Sequence, residues 1–392
     1  MRVALIHNFY RSSAPSGEDE VVRGEQELLE ANGIEVIPFV RYNDDLPAGL
    51  LGALGASLSN AWSFDSRSAL RELMVRHRPD VAHFHNTFPQ ISPAAYLTCR
   101  EAGVPVVQTL HNYRMFCANG LLNRQREPCE LCLGRNAFPA LVHACYRDSR
   151  LATLGVALGS ALHRARGTYQ TQVDRYIVHT EFARRRFVAH GLPPERIAIR
   201  GNCLSHDPGI GAGDGGYALY VGRLTAEKGV GTLVRAWQEL SDIPLRIAGD
   251  GALRATLERE AAGLPIQFLG RVPAARVIEL MQNAALLVIP SECYEGFPRV
   301  LVEAFATGTA VVAADIGGLG ELITEGVGGA KFRSGSAAEL ADAVQRLWCA
   351  PVLRARQRAG NRLRFEREFS PSAGLASLTD VYRQAMVRDA AR

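Results

Sequence analysis

Short apolar runs alternate with amphipathic stretches along almost the whole chain. The amino-terminal half contains six such runs, at Met1–His7, Ile34–Val40, Asp80–Phe84, Val104–Leu110, Arg175–His179 and Ile197–Ile199. Between them, apolar residues recur at helical spacing, at about 18–32, 66–77, 93–102 and 180–190. Gly33 follows the first of these helices, in a place where glycine commonly ends a helix. Apolar strands that alternate with helices predict a parallel sheet covered on both faces.

A glycine-rich segment separates this half from a second half with the same pattern. Residues 205–216 contain five Gly and one Pro, a composition typical of a linker. Beyond it, strands are predicted at 217–221, 245–248, 266–269, 285–290, 309–313 and 329–332, with helices at about 229–240, 252–262, 274–283, 336–348 and most of 352–388. We therefore predict two doubly wound α/β domains, 1–204 and 217–370, followed by a helix within 371–392. Ligands of such sheets bind beyond the carboxyl ends of the strands, so we expect the site in a cleft between the domains.

The composition is that of a globular protein. At 392 residues, with 47% apolar and 21% charged residues, the chain is too long for one ordinary core. No apolar run approaches the ~20 residues of a membrane span, and Met1–His7 is a core strand and not a signal peptide. We therefore expect a cytoplasmic protein without a nucleic-acid partner. Its net charge is +4, residues 146–200 hold ten Arg against four acids, and Lys228 and Lys331 are the only lysines.

The stretch Ser291–Phe305 carries a pair of carboxylates at a strand end. Glu295 precedes a helix whose first turn is predicted to contain Pro298, and Glu303 lies inside that helix. Carboxylates accept hydrogen bonds from sugar and ribose hydroxyls, and a helix start offers N–H groups to a phosphate. The stretch therefore predicts a nucleotide-sugar site, with two solvated acids beside a helix start as the alternative.

Two more loops of the second half follow strand ends. Gly222–Leu224 and Glu227–Gly229 come directly after the strand 217–221, so Arg223 and Lys228 can both point at a diphosphate. An exposed charged loop is the alternative. The turn at Ala248–Gly251 lacks the third Gly and the distant acid of a dinucleotide fingerprint. We therefore expect Gly249 in a tight turn that lines a ligand crevice.

Polar groups also follow three strands of the first half. They are Ser16–Glu18, His83–Asn86 and His111–Arg114. Because all three segments lie just past strands of one predicted sheet, they can converge on one polar wall for a substrate. A single histidine is usually structural, but three such groups favour the substrate wall.

Four of the eight cysteines lie in a predicted insert at 115–147. Cys117, Cys129, Cys132 and Cys145 have the spacing C-x11-C-x2-C-x12-C. Four thiolates with one C-x2-C pair can hold a tetrahedral structural zinc. Unpaired buried cysteines and a redox pair at Cys129 and Cys132 are the alternatives.

An apolar stretch, Leu151–Leu162, is followed by His163, Arg164 and Arg166. Apolar residues beside basic ones are typical of a helix that lies on a membrane surface. A buried helix of the amino-terminal domain fits the same pattern, and the sequence leaves both open.

Taken together, the motifs resemble the large retaining glycosyltransferase family 4, whose fold is GT-B. The likeness rests on E-G-F-x5-E at 295–303, on G-R-L-x2-E-K-G at 222–229, on the glycine loop after the first strand and on DVAHFHN at 80–86. It covers nearly the whole chain. The stretch TLHNYRMFC and the CELCLG insert are similar to those of enzymes that assemble bacterial surface polysaccharides.

The resemblance implies a role for each matching residue. On the donor side, Arg223 and Lys228 would bind the diphosphate, Glu303 the ribose and Glu295 the transferred sugar. Further donor contacts are implied at Gly17 (in a mobile loop), Gly222, Gly249, Arg271 and Val272 (beside the base), Gly296, Phe297 and Pro298. On the acceptor side the implied residues are His85, Asn86, Asn112 and Arg114, with His111 near the reacting sugar. Pro298 departs from the many members that carry Gly, and it removes an N–H group. The last helix, about 371–388, would cross back onto the first domain.

The implied chemistry is sugar transfer from a UDP- or GDP-sugar to a hydroxyl of a glycan or lipid-linked acceptor, with retention of configuration. Arg223 and Lys228 would stabilise the leaving diphosphate, so no catalytic metal is expected. Glu295 is not assigned as a nucleophile. The protein would lie in the cytoplasm or at the inner face of the membrane, contacting it through the basic first domain. An epimerase or phosphorylase of the same fold, and a non-catalytic scaffold that binds nucleotide sugars, are the rival functions.

Overall fold

The computed structural model describes residues 1–13, 16–47, 49–125 and 127–390. Up to residue 201 the strands are β1 (Arg2–Phe9), β2 (Glu35–Tyr42), β3 (Val81–Phe84), β4 (Val106–Thr109), β5 (Asn123–Arg124), β6 (Glu127–Pro128), β7 (Arg175–Val178) and β8 (Ile197–Ile199). The helices of this part are α1 (Gly17–Ala31), α2 (Gly49–Ala61), α3 (Phe64–His77), α4 (Ala95–Glu101), α5 (Phe138–Val142), α6 (Arg150–Ala165), α7 (Thr168–Thr171) and α8 (Glu181–Ala189).

The second part repeats the alternation of strands and helices. Its strands are β9 (Ala218–Val221), β10 (Leu245–Ala248), β11 (Ile266–Gly270), β12 (Leu286–Ile289), β13 (Ala310–Ala314) and β14 (Gly329–Phe332). Its helices are α9 (Val230–Ala236), α10 (Arg254–Glu260), α11 (Ala274–Asn283), α12 (Arg299–Ala306), α13 (Gly317–Leu322), α14 (Ala337–Trp348) and α15 (Pro351–Arg364), and α16 (Pro371–Ala390) follows.

Two six-stranded sheets organise the chain, and every strand pair in them is parallel. The first sheet has the order β2-β1-β3-β4-β7-β8, and the second has the order β11-β10-β9-β12-β13-β14. In each sheet the strand order reverses once, between β1 and β3 in the first and between β9 and β12 in the second. Such reversal points are where doubly wound sheets bind ligands, beyond the carboxyl ends of the two strands. The predicted fold class is confirmed.

The residues group into two compact units. Unit 1 consists of Met1–Leu122, Cys129–Gly201 and Gly374–Arg392, and unit 2 of Asn123–Pro128 and Asn202–Ala373. The hairpin β5–β6 therefore groups with unit 2, where the Asn123 amide donates to the Glu292 carbonyl at 2.8 Å. Residues 205–216, the predicted linker, contain no helix or strand.

Helix α16 supplies part of the core of unit 1. Its Leu378 and Tyr382 are fully buried against Val3, Val107 and other strand residues of the first sheet. Burying two such side chains contributes about 3–6 kcal/mol before entropy is counted. Unit 1 is therefore completed by a helix that follows unit 2 in sequence.

Helix starts follow local capping chemistry. Ser16, Ser63, Thr180 and Ser336 each accept a backbone N–H at the start of a helix. Ser16 and Asp19 form a reciprocal capping box on α1. Gly33 has φ +73° just after α1, as predicted for a helix-ending glycine.

Several predicted boundaries need correction. Pro298 is the cap residue that precedes α12 and does not lie in its first turn. The sequence pattern also missed α2, whose low-polarity stretch Gly49–Ala61 has no clear polar face. The helices predicted over most of 352–388, the last of them at about 371–388, are α15 and α16, and a π-helical turn at Phe365–Phe369 joins them. Two residues of the loop predicted after the first strand, Ala14 and Pro15, lie outside the described residues.

Candidate functional site

The reversal point of the second sheet brings two loops together. One loop follows β9 and holds Arg223 and Lys228, and the other follows β12 and holds Glu295. The Glu292 N–H donates to the Glu227 carbonyl at 2.9 Å. Gly229 has φ +68°, and a Cβ on it would lie 1.8 Å from the carbonyl oxygen of Pro290. Only glycine permits this close approach, which seats the first loop on the end of β12.

Lys228 and Glu295 form an ion pair between these loops. Lys228 Nζ lies 2.6 Å from Glu295 Oε1, and the Ser291 hydroxyl donates to the same oxygen at 2.6 Å. Burial favours the neutral form of each group, but the opposite charge outweighs it, so the pKa of Lys228 is raised and the pKa of Glu295 is lowered. Both groups are therefore ionised at neutral pH.

Glu303 lies one turn inside α12 and is buried. Arg299, four residues earlier on the same helix, places its Nε 2.9 Å from Glu303 Oε1. The Phe297 carbonyl accepts a hydrogen bond from the Asn202 amide at 3.0 Å, which fixes the approach to α12. The structure thus places Glu295 and Glu303 at the start of α12, as the sequence predicts.

The other predicted donor residues of unit 2 differ in exposure and packing. Arg223 is 57% exposed, with its Nη2 3.4 Å from Glu227 Oε1. Gly249 packs against the turn after β9, because a Cβ on it would lie 1.9 Å from the Gly222 carbonyl oxygen. Arg271 is exposed, and Val272 is half-buried against the core of unit 2.

In unit 1, three histidine rings form a continuous chain. His85 Nδ1 lies 2.8 Å from His111 Nε2, and His111 Nδ1 lies 3.2 Å from His179 Nε2. His179 Nδ1 donates to the Arg200 carbonyl at 2.8 Å. Both ring nitrogens of His111, the histidine predicted near the reacting sugar, therefore contact other histidines. The sequence pattern singled out His85 and His111 but missed His179, which lies at the end of β7.

A buried carboxylate closes the other end of this chain. Glu25 Oε2 lies 3.3 Å from His85 Nε2, and Glu25 Oε1 bonds Arg200. The sequence does not single out Glu25 or Arg200. Glu25 is one of several acids in an amphipathic helix and Arg200 is an Arg shortly before a linker, and neither context is distinctive. Burial raises the pKa of Glu25, but Arg200 and His85 lower it by more, so the carboxylate stays ionised.

Among the described residues, Glu25, His83 and His85 form the one cluster of three ligand-type side chains within 4.8 Å of one another. Both nitrogens of His83 already bond hydroxyls, at 2.8 Å to Tyr382 and 2.7 Å to Thr109. Arg200 already neutralises Glu25. A cation would have to displace these partners and sit beside a guanidinium, so the cluster is structural and not a metal site.

The other predicted residues of unit 1, on the acceptor side and at Gly17, have partners within their own unit. Asn86 is buried, and it donates to the Asn8 carbonyl at 2.7 Å and accepts from the Phe88 N–H. Asn112 accepts the Arg114 N–H, and the Arg114 guanidinium packs over the Phe88 ring at 4.3 Å. Gly17 opens α1, directly after the Ser16 cap.

The four cysteines of the insert are near neighbours without forming a tight cluster. All eight cysteines lie in the described ranges, and none of them forms a disulfide. Burial raises the pKa of Cys132 to about 11, and the thiols of Cys117, Cys145 and Cys129 add to this effect. The three neighbours therefore surround Cys132, although the described sulfurs do not meet the 4.8 Å spacing given above. The zinc site stays a prediction.

Helix α6 has one buried face and one exposed face. Thr153, Val156, Gly159 and His163 are buried, and the helix packs against α2. The opposite face exposes four leucines in one stripe, Leu151, Leu154, Leu158 and Leu162. The buried face thus fits the interpretation as a buried helix of the amino-terminal domain. The exposed face fits the interpretation as a membrane-surface helix. Of the helices in the described ranges, none has the length and apolar content that crossing a bilayer requires.

Two cavities of unit 1 adjoin these elements. A small one of about 70 Å³ is lined by His85, His111, Asn112 and Glu18 among others. A larger one of about 310 Å³ is lined by three arginines, Arg11, Arg114 and Arg147, together with Tyr10, Phe88 and Tyr146. Ala152 and Val156 of α6 also line it, so this cavity lies beside the helix with the leucine stripe.

Comparison with known proteins gives matches along both halves. A family model described as glycosyl transferase 4-like domain matches residues 13–203, and one described as glycosyl transferases group 1 matches residues 209–364. The α-D-kanosaminyltransferase of Streptomyces kanamyceticus is 27% identical over 392 residues, covering 96% of this chain and 95% of that protein.

Solved structures share the fold. The sucrose-phosphate synthase of Thermosynechococcus elongatus has a TM-score of 0.72 at 18% identity, covering 99% of both chains. HepE of Anabaena, crystallised with UDP, has a TM-score of 0.66 at 18% identity, covering 97% of this chain and 99% of that one. At such identities the likeness shows the fold alone, which is GT-B.

Proposed function

Because this chain belongs to the glycosyltransferases that combine a glycosyl transferase 4-like domain with a glycosyl transferases group 1 domain, we propose that it moves a sugar from a UDP- or GDP-sugar to a hydroxyl acceptor with retention of configuration. The observation that carries the proposal is the Lys228–Glu295 ion pair at the reversal point of the second sheet. A cation for a phosphate and an acceptor for sugar hydroxyls stand there side by side.

Binding of the donor would rearrange this ion pair. A diphosphate carries more negative charge than Glu295, so it attracts Lys228 and leaves the carboxylate to accept hydrogen bonds from the sugar. Arg223 is exposed enough to swing onto the same diphosphate. Together the two cations stabilise the charge that grows on the leaving group as the glycosidic bond to phosphate breaks. Glu303 then takes the ribose hydroxyls.

Retention follows in this scheme without a covalent intermediate. Glu295 is held by Lys228 and Ser291 and serves as an acceptor for sugar hydroxyls. The leaving diphosphate takes the proton of the attacking hydroxyl on the face that it vacates. The new bond therefore forms on the same face of the sugar as the broken one.

The larger cavity of unit 1 supports an acceptor with anionic and apolar parts. Three arginines suit phosphate, and the Tyr10, Phe88 and Tyr146 rings suit a chain or ring with apolar faces. A lipid-linked glycan carries both features, and its use fits the assembly of bacterial polysaccharide.

The leucine stripe of α6 supports a peripheral place at the inner face of the cell membrane. Leu151 and Leu158 are more than half exposed, and Arg147, Arg150 and Arg166 flank the stripe. Apolar burial and attraction to anionic lipid then act together.

Co-sedimentation with lipid vesicles tests this membrane contact. The protein should sediment with vesicles of phosphatidylcholine that contain one-third phosphatidylglycerol, and Leu158→Gln should lower the sedimented fraction. Leu363→Gln, on an exposed leucine of α15, is the matched control, and equal binding by both variants would remove the membrane contact.

The four-cysteine insert is proposed as a structural zinc site that the reaction does not use. Metal analysis of the purified protein should find about one equivalent of zinc, and Cys129→Ser should remove it. A metal content near zero would leave the insert without this function.

The donor is found by its effect on stability. UDP-, GDP- and dTDP-sugars should be screened by thermal shift, because a ligand at 100 times its Kd raises the free energy of unfolding by about 2.7 kcal/mol.

With the selected donor, the anomeric configuration of the product is read by proton NMR. An inverted product would contradict retention. Complete absence of nucleoside diphosphate release, with or without acceptor, would instead favour a non-catalytic scaffold.

A further inference from the structure

Two adjacent backbone carbonyls of the loop after β12 are held by side chains from other elements of unit 2. The Ser334 hydroxyl, shortly after β14, donates to the Ser291 carbonyl at 3.0 Å. The Asn123 amide, on β5, donates to the Glu292 carbonyl at 2.8 Å. Glu295 follows on the same loop. The two hydrogen bonds therefore fix the peptide groups that lead to the Glu295 carboxylate.

Glu292 is a junction between the two loops of the ion pair. Its N–H donates at 2.9 Å to the carbonyl of Glu227, the residue before Lys228. Its carboxylate accepts a hydrogen bond from the Thr232 hydroxyl of α9 at 2.6 Å. Its carbonyl accepts the amide of β5 described above. A displacement of Glu292 would therefore change the separation of the two loops, whose Lys228 and Glu295 side chains meet at 2.6 Å.

Asn123 comes to this loop from the insert at 115–147. It lies on the hairpin β5–β6, which groups with unit 2. At the base of the hairpin, the Cys129 N–H donates to the Leu122 carbonyl at 2.7 Å. The hairpin therefore begins and ends at one point of the insert, and its first residue donates to the loop that carries Glu295.

The chemistry of an amide suits this contact. A backbone carbonyl can only accept, so its partner must be a donor. The Asn123 amide donates without adding a charge to a loop whose electrostatics depend on one ion pair. Both Asn123 and Glu292 are half-buried, so water competes for their hydrogen bond less than it would on an open surface.

We propose that Asn123 is a positioning residue of the donor site, which acts through Glu292 to hold the Glu295 carboxylate in place for the transferred sugar. The hairpin β5–β6 is then part of the donor site, although its sequence lies in the insert. Asn123 donates to the loop after β12, whereas Arg223 and Lys228 lie on the loop after β9. Its hydrogen bond therefore affects the sugar more than the diphosphate. This role rests on the proposed function for the ligands of Glu295 and Lys228.

The substitution Asn123→Asp should separate the affinity for a nucleotide sugar from the affinity for its nucleoside diphosphate. The carboxylate keeps the shape of the amide, but it cannot donate and it repels the Glu292 carbonyl. We expect the Kd of the nucleotide sugar to rise about fivefold, the scale of one hydrogen bond, and the Kd of the diphosphate to stay within about twofold. General damage to unit 2 would instead raise both constants equally, and that result would overturn the inference.

Asn283→Asp is the matched control. The Asn283 amide also donates to a backbone carbonyl of unit 2, that of Glu279, at 2.8 Å, but on an exposed site. This variant should keep both constants within about twofold of the wild type. Titration calorimetry at pH 7.5 measures UDP-glucose against UDP and GDP-mannose against GDP. Equal losses in Asn123→Asp and Asn283→Asp would overturn the inference.

Hydrogen exchange tests the contact without any ligand. The Glu292 N–H, which bonds the Glu227 carbonyl, should exchange about fivefold faster in Asn123→Asp than in the wild type, because the loop opens more easily. In Asn283→Asp it should exchange at the wild-type rate. NMR of the amide protons measures both. An unchanged rate in Asn123→Asp would overturn the inference.

A measurement on the wild type stands even if Asn123→Asp fails to fold. Whichever of UDP-glucose and GDP-mannose binds should shift the NMR signal of the Asn123 side-chain amide and leave that of Asn283 in place. Binding without this shift would overturn the inference. Faster exchange of the Glu292 N–H in Asn123→Asp, without sugar transfer by the wild type, would refute the transferase and keep the role of Asn123 in the loop. Sugar transfer with an unchanged KM in Asn123→Asp would refute that role and keep the transferase.

Discussion

The two strand-end sites of this protein solve the problem of burying polar groups in opposite ways. In unit 2, Lys228 and Glu295 are opposite charges on two loops, and both side chains are partly exposed. In unit 1, Glu25 and the histidine chain are almost wholly enclosed, and every ring is held by its neighbours. The first arrangement suits a charged ligand that brings its own electrostatics. In the second, the mutual contacts of the polar groups fix their geometry.

Acid should produce the largest difference between the two units. Nine of the ten histidines lie in the segments of unit 1, and His206 is the one in unit 2. Burial lowers the pKa of His163, His179 and His190 to about 4 each. The unfolded chain, with pKa values near 6.5, binds more protons between pH 6.5 and 4, so stability falls as pH falls through this window. Each group should cost on the order of 2 kcal/mol at pH 5.

Hydrogen exchange with mass spectrometry at pH 7.5 and 5.0 locates this loss, after correction for the intrinsic exchange rate. Peptides of the first sheet should lose protection, and peptides of the second sheet should keep it. The carboxylates of unit 2 with lowered pKa, such as Glu295, contribute stability that is lost only at lower pH. Equal loss in both sheets at pH 5 would contradict the contrast.

Breaking the buried ion pair of unit 1 comes next. Arg200→Met leaves the Glu25 carboxylate buried without its cation, and we expect a loss of about 3–5 kcal/mol in the free energy of unfolding. Arg367→Met is the matched control, because Arg367 is 75% exposed and pairs with Glu368 on the surface. Urea denaturation measures both. A loss below about 1 kcal/mol for Arg200→Met would mean that Glu25 is not held as an ion.

Removing the cation of unit 2 should affect turnover and leave the fold intact. Lys228→Ala removes the charge that we propose stabilises the leaving diphosphate, and we expect kcat to fall about 10²–10³-fold. The other lysine, Lys331, pairs with Asp315 at 3.2 Å, and Lys331→Ala should stay within about twofold of the wild type. Steady-state rates of nucleoside diphosphate release give both numbers. Unchanged turnover in Lys228→Ala would remove Lys228 from the phosphate site.

A glycine pair tests how tightly the loops of unit 2 are joined. Gly229→Ala meets both a positive φ and the Pro290 carbonyl oxygen, and it should destabilise unit 2 by about 1–3 kcal/mol. Gly263 has φ +82° with no neighbour within 4 Å, so Gly263→Ala should cost no more than about 1 kcal/mol. Thermal unfolding of the two variants measures the difference. Equal costs would show that the approach to Pro290 relaxes easily.

The sequence pattern was sufficient for the parts of the molecule that repeat. Apolar strands, helical periodicity and the glycine-rich segment predicted both parallel sheets, and the loop motifs placed Lys228 and Glu295 at strand ends. The strand order that makes these two loops neighbours follows from the doubly wound fold. Such features depend on residues that are close in sequence.

The histidine chain could not be predicted in the same way. Glu25, His179 and Arg200 lie in a helix, at a strand end and after a short strand, and each has an ordinary local context. Their significance arises from contacts between residues as far apart as 175 positions, as for Arg200 and Glu25. The low-polarity helix α2 was missed for the related reason that no polar face marks its period.

The place of α16 in the core of unit 1 sets the order in which the protein can fold during synthesis. The strands of the first sheet emerge from the ribosome first, but Leu378 and Tyr382, which bury against them, emerge only after the whole of unit 2. Both segments of unit 2, the short hairpin and Asn202–Ala373, have been synthesised before α16 emerges. The unit translated first is thus the unit finished last, and a nascent chain must keep an incomplete apolar surface from aggregating throughout the synthesis of the other.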